Sequence, residues 1–134
     1  FTNGVAYTFP EGVTLGSGAY LVIAHDPDFL RTEYGIANVV GPYTGRLDNG
    51  GEELVLFNRS WRRMDVLGYD DEGDWPTAPD GSGVSLAKLD PLSATGPAEN
   101  WTPSAQVGGT PGAVNFPKSG GVPAQPAHHH ALWV

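Results

Sequence analysis

The chain contains no cysteine. A disulfide framework and a thiolate metal centre are therefore both excluded, although the compartment stays open. Basic residues are scarce: seven Lys and Arg stand against fifteen Asp and Glu, a formal charge of -8. A domain this acidic repels a phosphate backbone, which sets nucleic acid aside as a partner. The same charge favours cations and basic partners. No apolar run approaches the roughly 20 residues that a membrane helix needs, so membrane insertion is set aside too. A charged segment leading into an apolar one, the mark of a secretory signal, is missing. The single Met is Met64 and the first residue is Phe1. The expectation is a piece of a longer polypeptide.

Glycine and proline are plentiful, at 19 and 12 of 134 residues. They fall between short apolar runs as turn punctuation, the pattern of an all-β chain. Val5–Phe9 alternates and reads as a strand. Ala19–Ala24 is a nearly continuous apolar run and reads as a central strand covered on both faces. One helix is expected after it. Asp26 can cap it, Pro27 suits its first position and Gly35 can end it, with Phe29, Leu30 and Tyr34 as the apolar stripe. Leu47–Glu52 contains Asn49-Gly50, a hairpin-turn signal. Glu53–Phe57 and Arg63–Tyr69 read as a β-hairpin about a tight turn at Asn58–Trp61, with Leu54, Leu56, Met64 and Val66 as core candidates. Val84–Leu89 alternates, and Asn100–Thr102 is the last short strand. Residues 117–134 lack periodicity and read as a Pro/Gly/His-rich linker or tail. About six short strands and one short helix point to an immunoglobulin-like antiparallel β-sandwich.

Several blocks resemble the bacterial lamin-tail domain. Gly45-Arg46-Leu47-Asp48-Asn49-Gly50-Gly51-Glu52-Glu53-Leu54-Val55-Leu56 is similar to its G-x-L-x-N-G-G-E-x-L-x-L block. Tyr69-Asp70-Asp71 followed by Trp75-Pro76 resembles its Y-D-D-x-x-x-W-P. Ser85-Leu86 with Leu89-Asp90-Pro91, Ala98-Glu99-Asn100-Trp101, and Gly109-Thr110-Pro111-Gly112 through Asn115 resemble three further blocks, in the family's order. Leu21–Ala24 through Tyr34-Gly35 resembles the family's strand-and-helix run. The resemblance covers roughly residues 4–116 and implies one domain over 1–116. The family's first strand pair has no counterpart before Val5, so the domain is expected to be N-terminally incomplete and marginally stable. The family implies a non-catalytic accessory or interaction module of a secreted or surface-attached bacterial protein. Its expected partners are other domains of the same polypeptide, a surface protein or a polysaccharide. A fragment of an extracellular hydrolase or spore-coat-kinase-like protein, with its chemistry elsewhere, is a further alternative.

The densest chemistry lies between Tyr69 and Thr77. Asp70, Asp71, Glu72 and Asp74 supply the several oxygens that a hard cation such as calcium takes, though their spacing is not that of an EF-hand. This weak calcium site is the only cofactor expectation, and it underlies the alternative of a calcium-dependent adhesion or ligand-binding domain. Against it stands a solvated loop whose Asp70 or Asp71 accepts from neighbouring amides. Trp61, Arg62 and Arg63, at the hairpin turn, form a candidate contact patch. Trp75 and Trp101 read as packing residues. His128-His129-His130 read as an adventitious metal tract and His25 as a structural or surface residue. No nucleophile elbow, catalytic triad or phosphate loop occurs.

Overall fold

A computed structural model describes residues 4–117 and 131–132. It is β-rich, with nine short strands and little helix. The strands form small separate sheets: β1 (Val5–Ala6) pairs with β4 (Thr44–Gly45), and β5 (Gly51–Phe57) with β6 (Arg63–Asp70). Likewise β7 (Val84–Lys88) pairs with β8 (Trp101–Val107). These three pairs are antiparallel. Among the described residues, a third strand appears only where β2 (Val22–Ile23) lies between β3 (Val39–Val40) and β9 (Ala131–Leu132).

The β2 sheet departs from the antiparallel expectation. Both of its pairings are parallel, and the helix α1 (Pro27–Tyr34) is the crossover from β2 to β3. Parallel neighbours need such a crossover, because a tight turn can only reverse the chain. The helix has the ends its sequence foretells. Asp26 accepts from the Phe29 amide, Pro27 opens the first turn, and Gly35 closes the helix in the left-handed region at φ 66°. Its expected apolar stripe is only partly used. Leu30 packs on the Val22, Ala24 and Val39 cluster, whereas Phe29 and Tyr34 remain 51% and 61% exposed and meet each other edge-on.

The Ala19–Ala24 run is likewise used on one side only. Val22 is fully buried and Ala24 nearly so, both in that cluster. Leu21 and Ile23 are half-buried and line an open groove, so the expected cover on both faces is only partial among the described residues.

The β5–β6 hairpin forms as the sequence predicts, but in a different register from the expected core set. Leu54 stands opposite Leu67, and Leu56 opposite Asp65. A bulge at Leu56/Phe57 sets Phe57 against Arg63, and Met64 is left 57% exposed. The extra residue shifts the side-chain alternation by one, so Leu67 takes the core position that the unbulged pattern assigns to Val66. The Asn49-Gly50 turn also differs from the sequence signal. It joins strands of two different sheets, since β4 pairs with β1 and not with β5. Asp48 shapes it by accepting from the Gly50 amide. Gly45 is obligatory beside it: a Cβ there would fall 1.6 Å from the Gly4 carbonyl oxygen.

Val5, Leu54 and Leu67 form the second core cluster, with Tyr43, Leu47, Tyr69, Trp75 and Trp101 packed around it. Trp75 and Trp101 lie 6.5 Å apart by ring centroid. Both tryptophans therefore pack as expected. The whole buried apolar set among the described residues is eight side chains. Two-stranded sheets resting on so little burial are marginal alone.

Of the expected 117–134 tail, Ala131–Leu132 runs as β9 and residues 118–130 lie outside the described residues. His128, His129 and His130 fall among the latter. No helix among the described residues is long and apolar enough to cross a membrane.

Candidate functional site

An open groove of about 1310 Å³ crosses the molecule. Its walls come from the Tyr7–Val13 segment, the outward side of β2, the β5–β6 hairpin, β7 with the 89–95 loop, and the Ala113–Phe116 turn. Its size exceeds the usual range for a small-molecule pocket. Most of the lining is apolar, and several large side chains at its mouth are exposed: Val13, Trp61, Met64, Leu89 and Val114.

Trp61 is the most conspicuous of these. It is 82% exposed, and it sits in the left-handed backbone region at φ 59°, the one described non-glycine residue to do so. Such a conformation is unusual for a bulky side chain and persists only where its surroundings impose it. Asn58 imposes it here. The Asn58 Oδ1 accepts from the Ser60 and Arg62 amides, each at 2.9 Å. The Asn58 amide and carbonyl then bond to the Arg62 carbonyl and the Trp61 amide. The indole leans toward Phe57, 6.1 Å away by ring centroid. Three Arg share this tip. Arg59 pairs with Glu11 at 2.8 Å across the groove mouth, with both side chains almost fully exposed. Arg62 and Arg63 are exposed, and neither makes an ion pair among the described residues.

The groove floor holds one polar trio. Thr95 donates to Asp65 at 2.9 Å, and Lys88 Nζ reaches Thr95 at 3.4 Å. Asp65 Oδ1 also accepts from the Val66 amide. Partial burial pulls the Lys88 ammonium below its usual range, opposed by the carboxylates of Asp65 and Asp90. Trp101 fixes the loop behind this trio by donating its indole N–H to the Thr95 carbonyl, and Asn115 donates to the Lys88 carbonyl. No sequence signal marks these partners, since Asp65, Lys88 and Thr95 lie on three separate segments.

The acidic stretch is elsewhere, at the opposite end of the β5–β6 hairpin from Trp61. Asp70 closes β6 and accepts from the Glu72 amide at 3.0 Å, a local turn of the kind the sequence allows. Glu72, Gly73 and Asp74 are exposed, and Asp71 is half-buried. Among the described residues no three acids or histidines come together closely enough to hold one ion. Nearby, Tyr69 donates to the Asp48 carbonyl at 2.7 Å. Burial, then the Glu52 and Asp48 carboxylates, push the Tyr69 phenol up to about 12, against the pull of that hydrogen bond. His25 is exposed and meets Tyr43 edge-on.

No protein-family model, curated protein or solved structure matches the chain.

Proposed function

We propose that the chain is a non-catalytic interaction module of a larger secreted or surface-attached bacterial protein, built as a lamin-tail type of immunoglobulin-like sandwich. The ordered blocks that resemble that family support the architecture. They coincide with turns and core positions: the Asp48 turn leading into β5, the end of β6 with Trp75, and the start of β8 at Trp101. Its partners are other domains of the same polypeptide, a surface protein or a polysaccharide.

The observation that carries the binding role is Trp61. A large aromatic side chain is held in a strained turn, almost fully exposed, at the mouth of an apolar groove. Exposed aromatic and Arg side chains that are rigidly placed beside a depression are the usual anchors of protein contacts. Trp61 contributes little to packing in the free chain, so its placement suits contact with something else.

The test supplies three partners in turn: neighbouring domains of the parent polypeptide, a surface-protein extract and a cell-surface polysaccharide extract. Binding is compared between the unmodified chain and Trp61→Ala. The expected result is capture of at least one partner, lost in the variant while its unfolding midpoint stays put. Equal capture by both proteins removes Trp61 from the contact and the proposal with it.

A further inference from the structure

We infer that the groove takes an extended polypeptide strand of alternating apolar residues that ends in acidic residues at the Trp61 hairpin tip. This names the partner of the interaction reading above and rests on it.

Three features specify the occupant. The first is the apolar lining. Tyr7, Phe9, Leu21, Ile23, Leu56 and Phe57 line the groove from extended stretches of chain. A strand laid against them can turn one apolar face toward the groove. The second is main-chain valence. Among the described residues β5 and β6 pair only with each other, and so do β7 and β8. Their outer edges carry no further strand among the described residues, so an added strand can pair along them. A helix cannot, because its own backbone groups are already bonded.

The third feature is charge. The chain carries -8 overall, yet Arg59, Arg62 and Arg63 crowd one tip of the hairpin beside the groove mouth. Arg59 is engaged by Glu11. Arg62 and Arg63 are left to meet an outside carboxylate, at a place where an acidic partner escapes the general repulsion. Sugar hydroxyls suit this groove poorly. Its lining is largely apolar, and both Asp65 oxygens and the Arg59 guanidinium are already bonded.

The probe is a synthetic peptide, Thr-Val-Thr-Ile-Ser-Val-Thr-Leu-Gly-Asp-Glu-Asp, titrated into the full chain while tryptophan fluorescence is followed. A sister peptide ends in Lys-Lys-Lys. The acidic peptide is expected to bind saturably and to raise the unfolding midpoint. The sister should bind about ten-fold more weakly, the scale of two rim charges changed from attraction to repulsion. R62E/R63E, which alters only exposed side chains, should reverse that order. Met64→Gln should weaken both peptides by removing an apolar contact at the mouth.

Equal affinity for the two peptides, or an order unchanged by R62E/R63E, overturns the inference. So does a failure of the acidic peptide to bind, saturable binding of an anionic polysaccharide alone, or concentration-dependent self-association that fills the groove with a second copy. Capture of a natural partner through Trp61, with neither peptide bound, would leave the interaction module standing and remove only this partner chemistry. Peptide binding in the expected charge order that Trp61→Ala leaves intact would keep the groove as the peptide site and remove Trp61 as its anchor.

Discussion

At the residue scale, Trp61 combines two costs that a purely structural side chain would avoid: exposure of its apolar surface and a left-handed backbone. Relieving the second should be measurable. Trp61→Gly is expected to be more stable than Trp61→Ala by about 1 kcal/mol in chemical denaturation, because glycine alone adopts this region freely. Both variants should lose partner binding. Tyr69 offers a test of a different kind. Its pKa in the folded chain is raised to about 12 from the ordinary 10.0. The folded state therefore holds the phenolic proton more tightly than the unfolded state between those values. Its contribution to stability is complete below pH 10 and is lost as pH climbs toward 12. Burial also raises Tyr20 and Tyr43, so the difference between the unmodified chain and Tyr69→Phe isolates this residue. Melting curves across pH 9–12 should fall less steeply in the variant. The sequence marks Trp61 as exposed, because a tight turn between two strands leaves it nowhere to pack. It does not disclose the left-handed backbone, which depends on how Asn58 folds back over the turn.

At the element scale, local chemistry was easy to read and pairing was not. The α1 helix has its Asp26 cap, Pro27 and Gly35 terminus where the residues call for them, because each acts within one turn of the backbone. Asp26→Ala is expected to cost about 1 kcal/mol, measured by denaturant midpoint. The hairpin turn at Asn58–Trp61 was legible for the same reason. The partner of each strand was not, since pairing depends on residues distant in sequence. Gly45 looks like ordinary turn material, yet it is needed where β4 passes the Gly4 carbonyl. The parallel β2–β3 contact leaves no local trace. The bulge that exposes Met64 and buries Leu67 is likewise invisible to an alternation count. In the acidic connection after β6, Asp70 accepts from the Glu72 amide, and no three acids stand together among the described residues. Calorimetric titration with calcium tests the cation expectation: a saturable heat abolished by Asp71→Asn assigns a site to this loop, and no saturable heat leaves it a solvated turn.

At the scale of the whole molecule, the described residues bury eight apolar side chains, six of them in two clusters, with a large groove left open beside them. A core of this size sets the expectation of low stability. Leu54→Ala, which opens a cavity in one of those clusters, should cost about 2–5 kcal/mol and leave the chain largely unfolded at room temperature. The native chain should also bind the dye ANS through the groove, and the acidic peptide should displace it as it binds. Fluorescence at constant far-ultraviolet circular dichroism checks this; a native chain that ignores the dye would mean the groove is closed in solution. The ends of the β5–β6 hairpin carry a last consequence. Arg59, Arg62 and Arg63 lie at one end and Asp70, Asp71, Glu72 and Asp74 at the other, separated by roughly 25 Å of extended chain. The hairpin thus carries opposite charge at its two ends. Toward the acidic partner proposed above, that separation favours an approach with the Trp61 end leading.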